Sequence, residues 1–340
     1  MTAWSIWSSP DLPSNPFRNL KLLRQTVIPV TPRRFFLHRR LAVLFFYQDE
    51  EGETMLQKGD AIGICACSNG LGLSGASQLN RLEQVLAELS LTPVYSPCLY
   101  GNGSVFSAPA AERAEALMAL YRNDRIRAVF DVSGGDLANE VLEFLDYDLI
   151  RNHPKPFWGY SDLTCVLNAL YTKTGAVSGL YQLRNLVGEQ GEMQQARFRR
   201  WVLEGQDDLY RADWRFLQGN AMEGMVIGGN IRCFLKLAGT PYLPDFSGKI
   251  LFLESRSGGP DRIAACLAQL RQMGAFSQIR GLLLGTFTEM ERTGAQPAVT
   301  ELVRRVIGNP ELPIAVTGQI GHGPDSRCLL IGKNQIIRQP

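Results

Sequence analysis

The chain has 340 residues, of which 45% are hydrophobic and 20% are charged. This length and composition suit one large domain or two ordinary ones with sizeable cores. The formal net charge of +2 provides no global field for nucleic acid or an acidic membrane surface, and no run of 18 apolar residues predicts a membrane span.

The first 54 residues differ in composition from the rest. Residues 1–40 hold seven Lys or Arg, five Pro and one acid, whereas residues 49–53 are mostly acidic. Three interpretations stay open: a basic transit segment, a disordered arm, or translated leader before a start at Met55. We favour the third, because Glu51-Gly52-Glu53 can be encoded by codons that contain a bacterial ribosome-binding sequence.

From Met55 onwards, short β-rich runs alternate with helical ones. This alternation predicts an α/β fold with a mostly parallel sheet covered on both faces. Strands are predicted at 61–67, 92–95, 127–132, 156–160, 249–253, 281–287, 313–316 and 327–331. Helices are predicted at 78–89, 110–123, 139–144, 162–172, 228–237, 260–273 and 299–307. Residues 55–184 are expected to form an N-terminal domain, 185–220 a helical connector and 221–340 a C-terminal domain.

The cysteines and histidines bear on compartment and metal binding. The seven cysteines are odd in number, most lie in apolar runs and none forms a CxxC pair. This usage is typical of buried free thiols in a reducing compartment. None of the three histidines, His38, His153 and His322, lies in a Cys/His cluster with ligand spacing, so no metal site is predicted.

The segment 156–164 joins a predicted strand to a predicted helix. The apolar run ends at Gly159, Ser161 follows, and a helix-like stretch begins at Leu163. A Ser at such a turn exposes its hydroxyl beside the amides of a new helix, which suits a nucleophile. The same position suits a plain helix N-cap, so both interpretations stay open at this point.

A serine nucleophile needs a base, and histidine is the usual one. His38 lies in the doubtful leader, and His153 lies in a proline-flanked connection expected to be solvated. His322 lies in a glycine-rich loop after a predicted strand, where an imidazole can project into a cleft. By elimination, His322 is the best candidate base for Ser161.

An orienting carboxylate and oxyanion donors complete such a site. Glu254 ends the apolar strand at 249–253, and Asp162 and Asp261 are its rivals as the carboxylate. The Gly134-Gly135 turn and the amide of Asp162 are candidate backbone donors. A plain tight turn is the other interpretation of the two glycines.

The ordered motifs of this chain resemble the LD-carboxypeptidase family, which includes muramoyltetrapeptide carboxypeptidases and microcin C self-immunity peptidases. The resemblance covers about residues 56–333. Seven motifs carry it, in the order Lys58-Gly59-Asp60, Gly134-Gly135, Gly159-Tyr160-Ser161-Asp162-Leu163-Thr164, Gly228-Gly229-Asn230, Gly239-Thr240-Pro241, Ile250-Leu251-Phe252-Leu253-Glu254 and Gly321-His322.

The resemblance implies a serine peptidase with Ser161 as nucleophile, His322 as base and Glu254 as its orienting partner. It assigns the oxyanion hole to Gly134, Gly135 and the amide of Asp162. It further implies a two-domain, cofactor-free, cytoplasmic and commonly homodimeric enzyme, with the nucleophile in the first domain and the Glu and His in the second.

Two places depart from the family pattern and are expected to line the substrate cleft. Asp136 and Asn139 stand where many members have other residues after Gly-Gly, and Ala138-Asn139 leans towards the immunity branch. Ser178 and Tyr181 stand where many members have His-Gly-Pro or Tyr-Gly-Pro. We therefore treat Asp136, Asn139, Ser178 and Tyr181 as candidate substrate-binding residues.

The expected reaction is release of a terminal D-amino acid from murein-derived peptides in cell-wall recycling. One alternative is cleavage of peptidyl- or aminoacyl-nucleotide antibiotic conjugates by a self-immunity peptidase. An alternative of another class is a catalytically degenerate peptide-binding protein.

Overall fold

A computed structural model describes residues 56–339 of the protein. The predictions for residues 1–54 and for Met55 as a start lie outside the described residues. Within 56–339, no helix is long and apolar enough to cross a lipid bilayer.

The described part of the chain contains two six-stranded sheets connected by helices. Its strands are β1 Ala61–Cys65, β2 Thr92–Tyr95, β3 Ile126–Asp131, β4 Phe157–Gly159, β5 Ser178–Leu180, β6 Arg215–Gln218, β7 Ala221–Asn230, β8 Ile250–Ser255, β9 Gly281–Phe287, β10 Ile314–Val316, β11 Leu329–Ile331 and β12 Asn334–Arg338. Its α-helices are α1 Leu73–Glu88, α2 Ala110–Arg122, α3 Tyr147–Asn152, α4 Thr164–Thr174, α5 Gly191–Glu204, α6 Ile231–Leu235, α7 Pro260–Gln272, α8 Ala275–Gln278, α9 Thr288–Thr293 and α10 Val299–Ile307. Short 3₁₀ segments cover Ala138–Phe144, Ser161–Leu163 and Leu183–Val187.

The first sheet has the order β11-β5-β4-β3-β1-β2. Its strands are parallel except for β11, which pairs antiparallel with β5. Because the carboxyl ends of parallel strands meet at one edge, the residues that follow β1, β3 and β4 share that edge. These are the segments that begin at Ala66, Val132 and Tyr160.

The second sheet has the order β12-β7-β8-β9-β10-β6. Its four central strands are parallel, and an antiparallel strand closes each side. The register of β7 against β8 pairs Asn230 with Glu254. These two polar residues therefore lie side by side at the carboxyl edge of the two strands.

Helix α4 of the first sheet packs against the second sheet, and one continuous apolar core includes residues of both. Polar contacts add to this packing. The Cys165 thiol donates to the carbonyl of Cys233 (3.1 Å). The Asn168 side chain donates to the Gly228 carbonyl and accepts from the Gly228 amide, at 2.8 and 2.9 Å. The start of α4, directly after Ser161, is thereby held against the end of β7.

Gly229 allows the closest approach in this contact. Its φ is +142°, and a Cβ atom there would lie 2.4 Å from Oγ1 of Thr164. The next amide, that of Asn230, donates to the same Oγ1 at 3.0 Å. A side chain at position 229 would therefore separate α4 from β7.

Most predicted elements are confirmed, with β2, β9 and α10 at the predicted bounds. One correction concerns Gly228 and Gly229, which end strand β7 and do not open the following helix, because both keep the extended ladder with β8. Asn230 caps that helix, accepting from the amide of Cys233 (3.3 Å).

Two strands belong to a different sheet from the one expected from the predicted domain boundaries. Residues 215–218 of the predicted helical connector form β6, which pairs with β10 in the second sheet. Strand β11, from the predicted C-terminal domain, pairs with β5 in the first sheet. Both are short edge strands whose place depends on distant partners, which local pattern does not encode.

Candidate active site

Ser161 lies at the turn between β4 and α4, in a backbone conformation unusual for serine. Its φ is +56°, in the left-handed region that L-residues other than glycine adopt rarely and at a cost. The N-cap of this helical segment is Tyr160, and no side chain supplies a capping hydrogen bond. The plain-cap interpretation of Ser161 is therefore wrong, and a strained serine at a strand–turn–helix junction can present its hydroxyl as a nucleophile.

His322 and Glu254 form a close hydrogen-bonded pair. Nδ1 of His322 lies 2.6 Å from Oε2 of Glu254, whose side chain is fully buried. The other carboxylate oxygen, Oε1, accepts from Nδ2 of Asn230 at 3.0 Å. The amide of His322 donates to Oγ1 of Thr286 (3.2 Å), which fixes the backbone of the loop. The imidazole is thus held through both its ring and its main chain.

The opposite ring nitrogen of His322 is buried and has no hydrogen-bond partner among residues 56–339. The ring lies against that of Tyr160, with centroids 4.6 Å apart, so it sits beside the residue preceding Ser161. No hydrogen bond joins Ser161 to His322 within the described range. His153 lies elsewhere on the surface, 3.5 Å from Asp124, and His38 lies outside the described residues.

The two rival carboxylates are placed differently. Asp162 is fully buried, and its Oδ2 accepts from the Ser68 hydroxyl (2.7 Å) and the Ala138 amide (2.8 Å). Its Oδ1 accepts from Nζ of Lys236 at 2.6 Å. Asp261 is exposed in the first turn of α7. Neither hydrogen bonds to the imidazole, which leaves Glu254 as the carboxylate in contact with it.

The Gly134-Gly135 turn follows β3 at the same edge of the first sheet as Ser161. Gly135 has φ +133°, and a Cβ there would lie 2.1 Å from Oδ1 of Asn69, which accepts from the Asp136 amide at 2.8 Å. Within residues 56–339, no group accepts from the amides of Gly134 or Gly135. The amide of Asp162 lies in the first turn of its helix, where amides lack intrahelical acceptors. These three amides are available to bind an oxyanion.

The four candidate substrate-binding residues divide into two pairs. Asp136 and Asn139 are exposed near the Gly-Gly turn. Ser178 and Tyr181 are 0% and 1% exposed, and the Tyr181 hydroxyl donates to Oε1 of Gln194 at 3.1 Å. Ser178 in β5 and Tyr181 directly after it are therefore buried in this structure, and a substrate-binding role for them stays a prediction.

Several residues of the site were not given a role from the sequence. Asn230 lies in the Gly228-Gly229-Asn230 motif, and that motif is the available signal in the sequence. Lys236 reaches the loops after β3 and β4, and Arg232 reaches the loop after β3. The sequence shows that Arg232 and Lys236 are four residues apart in a predicted helix, but it does not show which way that helix face points.

One group of possible metal ligands occurs in the described range: Cys65, Cys67 and Asp131, with ligand atoms within 4.8 Å of one another. The Asp131 carboxylate already accepts from the amides of Cys67 (2.6 Å) and Ser133 (2.8 Å). Burial raises the pKa of the Cys65 thiol well above its ordinary value, which disfavours the thiolate that a metal requires. These contacts account for the cluster as a structural cap on the loop after β1.

The family comparisons define this two-domain α/β fold as that of a serine peptidase. Residues 62–182 match the LD-carboxypeptidase N-terminal domain, and residues 223–337 match the LD-carboxypeptidase C-terminal domain. The chain belongs to the LD-carboxypeptidase family, and the expected two-domain α/β fold is confirmed.

Similar proteins carry two kinds of name. A probable murein peptide carboxypeptidase of Bacillus subtilis is 28% identical over 239 residues, covering 68% of this chain and 73% of that protein. The microcin C7 self-immunity protein MccF of Escherichia coli is 24% identical over 294 residues, covering 76% and 85%. A structure of MccF in complex with aspartyl sulfamoyl adenosine has a TM-score of 0.73 at 22% identity, covering 84% of this chain and 97% of that one.

Proposed function

We propose that this protein is a serine-type LD-carboxypeptidase in which Ser161, His322 and Glu254 act as a catalytic triad. The observation that carries the proposal is the 2.6 Å pair of His322 with Glu254, which leaves the other imidazole nitrogen without a partner among residues 56–339, beside the turn of Ser161. The strained backbone of Ser161 supports the same assignment.

In this mechanism the Ser161 hydroxyl attacks the scissile carbonyl carbon and passes its proton to Nε2 of His322. The Glu254 carboxylate accepts a hydrogen bond from Nδ1–H of His322 and stabilises the imidazolium. The carbonyl oxygen, now an oxyanion, accepts from the amides of Gly134, Gly135 and Asp162. Collapse of the intermediate breaks the C–N bond, and His322 returns the proton to the leaving amine. Water, activated by the same His322, then hydrolyses the acyl-enzyme.

The proposed substrate is a murein-derived peptide that loses its terminal D-amino acid in cell-wall recycling. The family membership and the relative named as a murein peptide carboxypeptidase support this choice. We propose that the enzyme is cytoplasmic, needs no cofactor and forms a homodimer, as the family resemblance implies.

A second candidate substrate is an aminoacyl- or peptidyl-nucleotide conjugate. The similarity to MccF over 76% of this chain favours it, as does the MccF structure that holds a sulfamoyl adenosine. The chemistry at Ser161 is the same for both candidates, so they differ in what the cleft binds beyond the scissile carbonyl.

Parallel assays of the two substrates test the proposal. Release of D-Ala from a defined murein tetrapeptide is compared with hydrolysis of aspartyl sulfamoyl adenosine, each with the wild type and with Ser161→Ala. The murein proposal predicts faster turnover of the tetrapeptide and none by the variant. Preference for the nucleotide would move the assignment to the second candidate. No turnover of either, with no adduct from a fluorophosphonate, would favour a peptide-binding protein.

A further inference from the structure

Two basic side chains of the second half of the molecule reach the loops of the first sheet. Arg232 lies in α6 and Lys236 is its C-cap residue, four positions later. Nζ of Lys236 donates to Oδ1 of Asp162 (2.6 Å) and to the main-chain carbonyl of Asp136 (2.8 Å). Arg232 pairs with the Asp136 carboxylate and donates to the Gly135 carbonyl at 3.4 Å.

The Lys236–Asp162 pair lies in a low-dielectric place. The Asp162 side chain is 0% exposed and that of Lys236 is 19% exposed. A buried carboxylate is stabilised by a counter-charge and by hydrogen bonds. Asp162 has both, because Ser68 and Ala138 bind its other oxygen. The position of the residue that follows Ser161 is therefore set by contacts on both of its carboxylate oxygens.

Arg232 is placed differently from Lys236. Its side chain is 45% exposed and its Asp136 partner is 62% exposed. Exposed ion pairs of this kind are screened by solvent and contribute little to holding a loop. Of the two basic residues, Lys236 is therefore the more buried, and its contacts hold the loops after β3 and β4.

We propose that Lys236 is a positioning residue of the oxyanion pocket. Its single ammonium group binds both backbone segments that would supply the pocket: 134–136, through the carbonyl of Asp136, and 161–162, through the side chain of Asp162. An ammonium has three donors in a fixed tetrahedral arrangement, so the two contacts together set the distance between the segments. Lys236 does not touch the reacting atoms, and the assignment rests on the proposed role of Ser161.

The test measures acylation of Ser161 by a fluorophosphonate, which needs no natural substrate. In this step the bond from Oγ of Ser161 to phosphorus forms and the P–F bond breaks. The Ser161 proton passes to His322, fluoride leaves, and the phosphoryl oxygen occupies the oxyanion pocket. The measured quantity is the second-order labelling rate constant, with kcat and KM for the tetrapeptide recorded beside it.

Lys236→Met is expected to slow labelling and to lower kcat by about 10²–10³-fold, as for the loss of an oxyanion donor, with KM within about threefold. Lys155→Met is the matched control, because Lys155 is also partly buried and donates to a carbonyl, that of Tyr121, at 2.7 Å. It should label at the wild-type rate. Rapid labelling of Lys236→Met, or a change confined to KM, would overturn the inference.

Two further measurements separate positioning from folding. In Lys236→Met/Asp162→Asn a neutral amide replaces the buried carboxylate, so the melting temperature should recover. Labelling should stay slow, because the contact with the Asp136 carbonyl is still missing. In Lys236→Ala, added n-propylammonium should restore labelling saturably, and n-propanol should not. Recovery of both stability and labelling in the double variant would contradict the inference. No labelling of the wild type at Ser161 would overturn the proposed function and this role of Lys236 with it, whereas rapid labelling of Lys236→Met beside a labelled wild type would overturn the role of Lys236 alone.

Discussion

Oε2 of Glu254 lies 2.6 Å from Nδ1 of His322, although the two residues are 68 positions apart in the chain. Glu254 is fully buried near the end of β8, and its other carboxylate oxygen accepts a hydrogen bond from Nδ2 of Asn230. A carboxylate held in this way favours the tautomer with the proton on Nδ1, which leaves Nε2 as the basic nitrogen. The pair thus presents a base in a defined orientation beside the Ser161 turn.

Replacing Glu254 with Gln should weaken the orientation of the His322 imidazole while keeping the packing of the side chain. Gln has nearly the same volume, but it removes the charge that stabilises the imidazolium, so kcat should fall by about 10⁴-fold. Steady-state kinetics and circular dichroism of the variant test this. Glu223→Gln, at an exposed position of β7, is the matched control and should keep wild-type kcat. A loss below tenfold in Glu254→Gln would argue against the orienting role.

Gly229→Ala should destabilise the contact between α4 and β7. The new Cβ would lie 2.4 Å from Oγ1 of Thr164, and overpacking of this kind costs about 1–3 kcal/mol, to which backbone strain adds. Urea denaturation gives the free energy of unfolding. Gly239→Ala is the control, because Gly239 also has a positive φ but has nothing within 4 Å of the added Cβ. Equal destabilisation of the two variants would show that contact with Thr164 is not the cause.

The cysteines should react unequally in the native protein. All seven are free, six are buried and Cys266 is half-buried on α7. Burial raises the pKa of Cys165 to about 12, and only the thiolate reacts with alkylating agents. Iodoacetamide at pH 8 followed by peptide mapping should therefore modify Cys266 first. Early modification of Cys165 would show that the α4–α6 contact opens readily.

Local sequence pattern predicts much of the fold and the centre of the site. The apolar run of β9 and the amphipathic spacing of α10 are recognisable because breakers bound them closely. Glu254 is recognisable for a different reason, since a single carboxylate after four apolar strand residues must face solvent or a site. The turn at Ser161 is likewise visible as a strand that stops before a helix.

Local sequence pattern does not predict contacts between segments that are distant in the chain. The pairing of Lys236 with Asp162 spans 74 positions and depends on how α6 faces the first sheet. The contact of Asn230 with Glu254 follows from the β7–β8 register. Tyr181 is a candidate substrate-binding residue from its place in the family pattern, and that pattern does not contain its burial or its contact with Gln194.

The central claim is that Ser161 forms a covalent acyl-enzyme. The direct measurement is mass spectrometry of the enzyme quenched with acid during turnover of a murein tetrapeptide. The peptide containing Ser161 is expected to gain the mass of the tetrapeptide acyl group without its terminal D-Ala. Ser161→Ala is expected to gain no mass and to release no D-Ala. An adduct on another residue, or D-Ala release by Ser161→Ala at the wild-type rate, would contradict it.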